Sequence, residues 1–177
     1  MTINDFLLKK RDVIVSKSFD LIISTYPENT QIFFKERKRQ FTNPVGYTIY
    51  DSIEQIIDRL IENDSRDSFV SPLEEIIKIR AVQDFTPSDA IGFIFLIKKV
   101  IYEELHKEME IQEVIDFLSR FDSLALIAFD IFMKYREKIY DLKAKELINR
   151  TWWILKKWNI VSEIEDEKNK IKTIEER

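Results

Sequence analysis

Thr86-Pro87-Ser88-Asp89-Ala90-Ile91-Gly92-Phe93-Ile94-Phe95-Leu96-Ile97 decides the class of this fold. A threonine before proline, with an aspartate three residues past the threonine, reads as the start of a helix. Proline already holds a helical φ and needs no amide partner in the first turn, and Asp89 can reach back to the cap. The apolar run that follows, Ala90 to Ile97, predicts a helix from residue 87 to about 109 that is apolar nearly all round and surrounded by other helices. Ser71-Pro72-Leu73-Glu74 repeats the device and predicts a helix over 72–85.

The rest of the chain agrees. Isoleucine outnumbers leucine 28 to 13, a bias toward strands by propensity alone. Yet 177 residues hold only two glycines and four prolines, far too few turn residues for an all-β domain. Periodicity predicts further helices over 2–26, stopping at Pro27, over 30–39, and over 47–63 after the turn Asn43-Pro44-Val45-Gly46. A shorter one covers 111–119. A long one runs from 122 to about 140 and continues toward 161. The expected fold is all-α, a bundle of about six to seven helices with a long C-terminal helix.

Charge and composition exclude several classes. The net charge of −4 is spread as +3 over residues 1–40 (eight basic, five acidic) and −7 over 41–110 (seven basic, fourteen acidic), with thirteen of each sign beyond. An acidic middle repels nucleic acid, so no nucleic-acid partner is expected. There is no cysteine, hence no disulfide or thiolate site. The eight-residue apolar run is short of a bilayer span, and the N-terminus lacks the pattern of an export signal; a cytoplasmic protein is expected.

Catalytic motifs are missing too. Glu103 and His106 have the spacing of a di-iron ligand pair, but such a site needs that pair twice and the chain has one histidine. His106 as a haem ligand would need an apolar pocket, whereas its helical neighbours Tyr102, Glu103, Lys99 and Glu110 describe a solvated face. The expected reading is an exposed histidine near a helix C-terminus. No P-loop, dinucleotide-binding turn or nucleophile triad is present. Neither catalysis, metal nor cofactor is expected.

Two features stand out. Arg80 and Asp84, one helical turn apart, fall on the stripe of Leu73, Ile76 and Ile77, where a charge needs a partner. They read either as an internal ion pair, shared with Asp130 of the stretch Ala128-Phe129-Asp130-Ile131-Phe132, or as a polar spot in a small-ligand pocket. Residues 147–161, LINRTWWILKKWNIV, set Trp152, Trp153 and Trp158 beside Lys156 and Lys157. Three readings stand for this segment: completing the domain's own core or a dimer, docking a protein partner, or contact with an anionic membrane surface.

Several stretches resemble the N-terminal domain of the RsbT co-antagonist (RsbRD) family. They are Phe6-Leu7-Leu8-Lys9-Lys10-Arg11, Thr25-Tyr26-Pro27, Phe41-Thr42-Asn43-Pro44-Val45-Gly46-Tyr47, Ile79-Arg80-Ala81-Val82-Gln83-Asp84-Phe85-Thr86-Pro87-Ser88 and Ala128-Phe129-Asp130-Ile131-Phe132-Met133. The similarity spans about residues 1–145, and the Arg80 block is its most specific piece. The resemblance implies a globin-like helical domain without haem, usually a homodimer, that serves as a sensory input in stress-response signalling. In that family the sensory domain precedes a phosphorylatable STAS domain. Only about thirty residues follow position 145, too few for one, so any signal is expected to leave through a protein partner. The expected division is a sensory domain over 1–145 and a partner-docking extension over 146–177. A second role is left open by resemblance to stand-alone proteins: an accessory protein that docks a membrane-bound redox complex of dissimilatory sulfur metabolism through the tryptophan-rich end, at the inner face of the membrane.

Overall fold

The computed structural model describes residues 2–34, 43–83 and 85–157, and every regular element among them is helical. The elements are α1 (Ile3–Ile23), α2 (Glu28–Phe34), α3 (Pro44–Glu62), a 3-10 turn (Arg66–Phe69), α4 (Val70–Val82), α5 (Pro87–Leu105), α6 (Ile111–Leu118) and α7 (Arg120–Lys157). The chain divides into two units, Met1–Tyr135 and Arg136–Arg177. The first is the helical bundle and the second carries the end of α7.

Local chemistry sets most boundaries. Thr2 caps α1 in a full capping box, its hydroxyl accepting from the Asp5 amide at 3.2 Å while Asp5 accepts from the Thr2 amide at 3.0 Å. Thr86 caps α5 as the sequence predicts: its hydroxyl accepts from the Asp89 amide and donates to the Asp89 carboxylate at 2.6 Å. Asn63, at φ 57° and ψ 40°, ends α3 in the left-handed conformation that asparagine tolerates.

The second start signal is corrected. Helix α4 begins at Val70, two residues before Pro72, because the 3-10 turn runs straight into it through Phe69 in helical conformation. Pro72 then sits in the first turn, where an absent amide costs no hydrogen bond, and Ser71 caps nothing. The helix ends at Val82 rather than 85.

Isoleucine builds the core. Ile49, Ile53, Ile56, Ile57 and Leu60 form the buried stripe of α3. It packs against α1 and α4, while α5 packs on α1, α4 and α6. Helix α7 adds Phe121, Leu124, Ile127, Ala128, Ile131 and Phe132 to the core. It is tied to the bundle by Arg120 Nη1 donating to the Leu60 carbonyl (2.9 Å), Tyr135 Oη to Glu74 (3.0 Å) and Lys98 Nζ to Asp122 (2.9 Å). Helix α5 is not enclosed all round as expected. Phe95 is 50% exposed, because the neighbours of α5 cover only the face of Phe93, Ile94, Ile97 and Ile101.

Polar links between α1 and its neighbours are specific. Arg11 forms a bidentate pair with Asp58 and donates to Glu54 at 3.2 Å, joining α1 to α3. Lys17 and Lys10 of α1 converge on Glu104 of α5, and the hydrogen bond from Lys17 holds the Glu104 carboxyl below the usual carboxylate range against the opposing effect of burial. A carboxyl depressed on folding contributes stability above its unfolded pKa and loses it as pH falls through the folded value. Glu104→Gln is therefore expected to flatten the acid limb of a melting-temperature profile. A limb as steep as that of the wild type would remove Glu104 from the account.

Of the two glycines, Gly92 sits inside a helix, and a Cβ added there would meet nothing within 4 Å. Gly92→Ala is expected to raise stability by about 0.5–1 kcal/mol in urea unfolding, through helix propensity alone.

Candidate functional site

Two of the stretches that carry the family resemblance meet in space. Thr25 and Tyr26 follow the end of α1, Arg80 lies in the last turn of α4, Phe85 is in the loop after it, and Asp89 and Phe93 are in the first turns of α5. Arg80 is wholly inaccessible to solvent, as sequence reasoning expects of its apolar stripe. Its Nη1 donates to the Asp89 carbonyl at 2.7 Å and its Nη2 to the Thr25 hydroxyl at 3.0 Å. The guanidinium carbon lies 5.2 Å from the ring centre of Tyr26, 4.9 Å from Phe85 and 5.5 Å from Phe93. Among the described residues the positive charge thus faces three aromatic rings and two neutral oxygens.

The electrostatics follow from burial. Desolvation pushes the Arg80 pKa down, opposed by Tyr26 and then Asp89. Desolvation pushes the Tyr26 phenol up, opposed by Arg80. Arg80 Nε and the Tyr26 hydroxyl are buried without a hydrogen-bond partner among the described residues.

The other expected members of this site fare differently. Asp84 lies outside the described residues. Asp130 is exposed on α7 and does not pair with Arg80. Ile127, Ala128, Ile131 and Phe132 take the inner stripe of that helix, and the 3.6-residue period turns position 130 outward. Sequence reasoning missed Thr25, Tyr26, Phe85 and Phe93 as neighbours of Arg80. Three of the four stand in the stretches that carry the resemblance, but nothing local in the sequence joins residue 25 to residue 80.

A third such stretch forms a joint. Asn43 is fully buried; its side-chain oxygen accepts from the Gly46 amide at 2.9 Å and its Nδ2 donates to the carbonyls of Phe33 and Phe34, each at 3.0 Å. One side chain thus caps α3 and satisfies the end of α2.

In the second unit, Trp152 and Trp153 pack edge to face at 5.5 Å, with Lys156 Nζ 4.7 Å from the first ring and 5.8 Å from the second. Trp153 is 66% exposed, and Leu147, Ile148 and Ile154 are exposed beside it. Trp153, Ile154, Lys156 and Lys157 border a shallow, open and mainly apolar patch of this helix. Trp158 lies outside the described residues.

His106 is the exposed C-cap of α5. Its Nδ1 donates to the Tyr102 carbonyl at 2.9 Å and its ring stacks on Tyr102 at 4.9 Å. Among the described residues no group of three or more His, Asp or Glu side chains could hold a metal ion, and no helix is long and apolar enough to cross a membrane.

Every regular element among the described residues is helical, so the class the fold defines is an all-α bundle. The comparison with known families makes this specific. The chain belongs to the family of the RsbT co-antagonist protein rsbRD N-terminal domain, whose model matches residues 12–147. This is a family of regulatory sensory domains. A relative from Archaeoglobus fulgidus, described only as an uncharacterized protein, is 29% identical over 102 residues, covering 55% of this chain and 66% of its own. The match thus spans just under two thirds of that relative's length. No solved structure matches the chain. None of these comparisons points to a membrane redox complex.

Proposed function

We propose that this chain is a non-catalytic regulatory module of the cytoplasm that works by binding another protein, as an input to stress-response signalling. The observation that carries the reading is the surface around Trp152, Trp153, Lys156 and Lys157, on a chain whose family is regulatory. Two tryptophans packed against each other and under one ammonium offer rigid apolar area beside charge, the composition of an interface anchor. The complementary surface is apolar with acidic residues around it. A haem-free, globin-like homodimer belongs to the same reading. On α7, Leu126, Phe129 and Met133 are exposed at the i, i+3, i+7 spacing of a helix-pairing seam. Light scattering in solution is expected to return twice the chain mass of 21.3 kDa, and the mass of a single chain would remove the dimer from the reading.

The test of partner binding is site-specific photo-crosslinking in the native host. A photoreactive phenylalanine in place of Trp153 is expected to yield a discrete adduct with one protein, and the same group in place of the exposed Glu137 is not. The same pattern of adducts from both positions would contradict the proposal.

A further inference from the structure

A cleft of about 170 Å³ lies where the C-terminal end of α3, the 3-10 turn and the start of α7 meet. Its walls are apolar, made by Leu60, Phe69 and Leu124, and two cations, Arg66 and Arg120, stand at it. The cleft is open to solvent on one side and Leu60, Phe69 and Leu124 are each buried, so only a compact body could seat against them.

The charges favour an anion on that body. Arg120 is the first residue of α7, and its only hydrogen bond among the described residues is the one from Nη1 to the Leu60 carbonyl. Its guanidinium carbon also lies 5.5 Å from the ring centre of Phe117, and the remaining fork nitrogens make no hydrogen bond among the described residues. Burial works against the Arg120 charge and the nearby Asp64 supports it, yet Asp64 forms no ion pair among the described residues. Asp122, the acidic residue in the first turn of α7, is engaged by Lys98. Two arginines against one aspartate leave the cleft a net positive charge, and the positive end of the α7 dipole, with Ser123 in its first turn, adds to it.

We propose that this cleft binds a small monocarboxylate with a compact aromatic or branched apolar body. The apolar part lies among Leu60, Phe69 and Leu124 and the carboxylate on Arg66 and Arg120. The site shares no residue with the tryptophan surface, so its failure leaves the partner reading intact, and loss of the partner leaves this site intact.

The test is an amide-resolved NMR titration of the full chain with benzoate, with benzyl alcohol as its uncharged counterpart. Benzoate is expected to bind with a Kd below about 1 mM and to shift the amides of residues 60–69 and 120–124. Benzyl alcohol is expected to bind at least about tenfold more weakly. Arg66→Gln, at an exposed position, is expected to weaken benzoate about three- to tenfold without changing the melting temperature. Ser123→Phe is expected to abolish binding by filling the cleft. Equal binding of the alcohol, full affinity in the Arg66 variant, shifts scattered over other basic residues, or no shift up to about 10 mM benzoate would each overturn the proposal.

Discussion

Arg80→Ala is expected to lower the unfolding free energy by about 3 kcal/mol, read from urea denaturation, while Arg80→Met stays within about 1 kcal/mol of the wild type. The two variants separate the terms that act at this residue. Truncation to alanine removes two hydrogen bonds and the contacts with three rings, and leaves a cavity where the largest fully buried side chain stood. Against these losses stands the relief of a desolvated charge. The cavity decides the outcome for alanine. Methionine refills much of the space and keeps the relief. It also strands little, because the Thr25 hydroxyl still donates to the Ile22 carbonyl at 2.7 Å and the Asp89 carbonyl still faces the amides of its own helix. Wild-type stability in the alanine variant would show that Arg80 ties nothing together.

Gly46→Ala is expected to cost about 3 kcal/mol in the same measurement. A Cβ there would stand 2.3 Å from Asn43 Nδ2 and 2.6 Å from the Phe34 carbonyl oxygen. The first is a side chain that cannot swing away without abandoning the Gly46 amide and both α2 carbonyls. The second is backbone. Relief therefore requires α2 and α3 to move apart, which would expose the buried Phe34. The opposite sign expected for Gly92→Ala isolates crowding from propensity, since both glycines are helical. A Gly46→Ala protein as stable as the wild type would mean that the Asn43 joint is loose.

The helices were legible because their signals are local. Thr86-Pro87-Ser88-Asp89 starts a helix by chemistry contained in four residues. Asn43-Pro44-Val45-Gly46 does so too, and its reading as a turn before a helix at 47 is corrected, since Asn43 caps α3 and Pro44 is its first residue. Ser71-Pro72 carries the same letters and starts nothing. The preceding 3-10 turn already supplies helical backbone, and proline is equally at ease inside a first turn as at its beginning. The burial of Arg80 was legible from its stripe, but its partners were not. A cation on an apolar face predicts a carboxylate nearby, and the sequence offers Asp84, one turn on, with Asp130 to share the pair. Asp130 is exposed instead, and among the described residues, which leave out Asp84, the guanidinium meets rings and neutral oxygens brought from two other segments. Local spacing cannot foresee which segments those are. The cleft at Arg66 and Arg120 was hidden for the same reason, since its two cations are 54 positions apart and share no motif.

If the family stretches build a core while the work is done at the tryptophan surface, core and surface variants must separate in one binding measurement. Quantitative affinity purification from the native host should compare wild type, Arg80→Met and the double variant Trp152→Ala, Trp153→Ala, each checked for an unchanged melting temperature. One protein captured by the wild type is predicted to persist with the methionine variant and to be lost with the double variant. Capture that survives removal of both tryptophans but vanishes with the arginine would contradict the account.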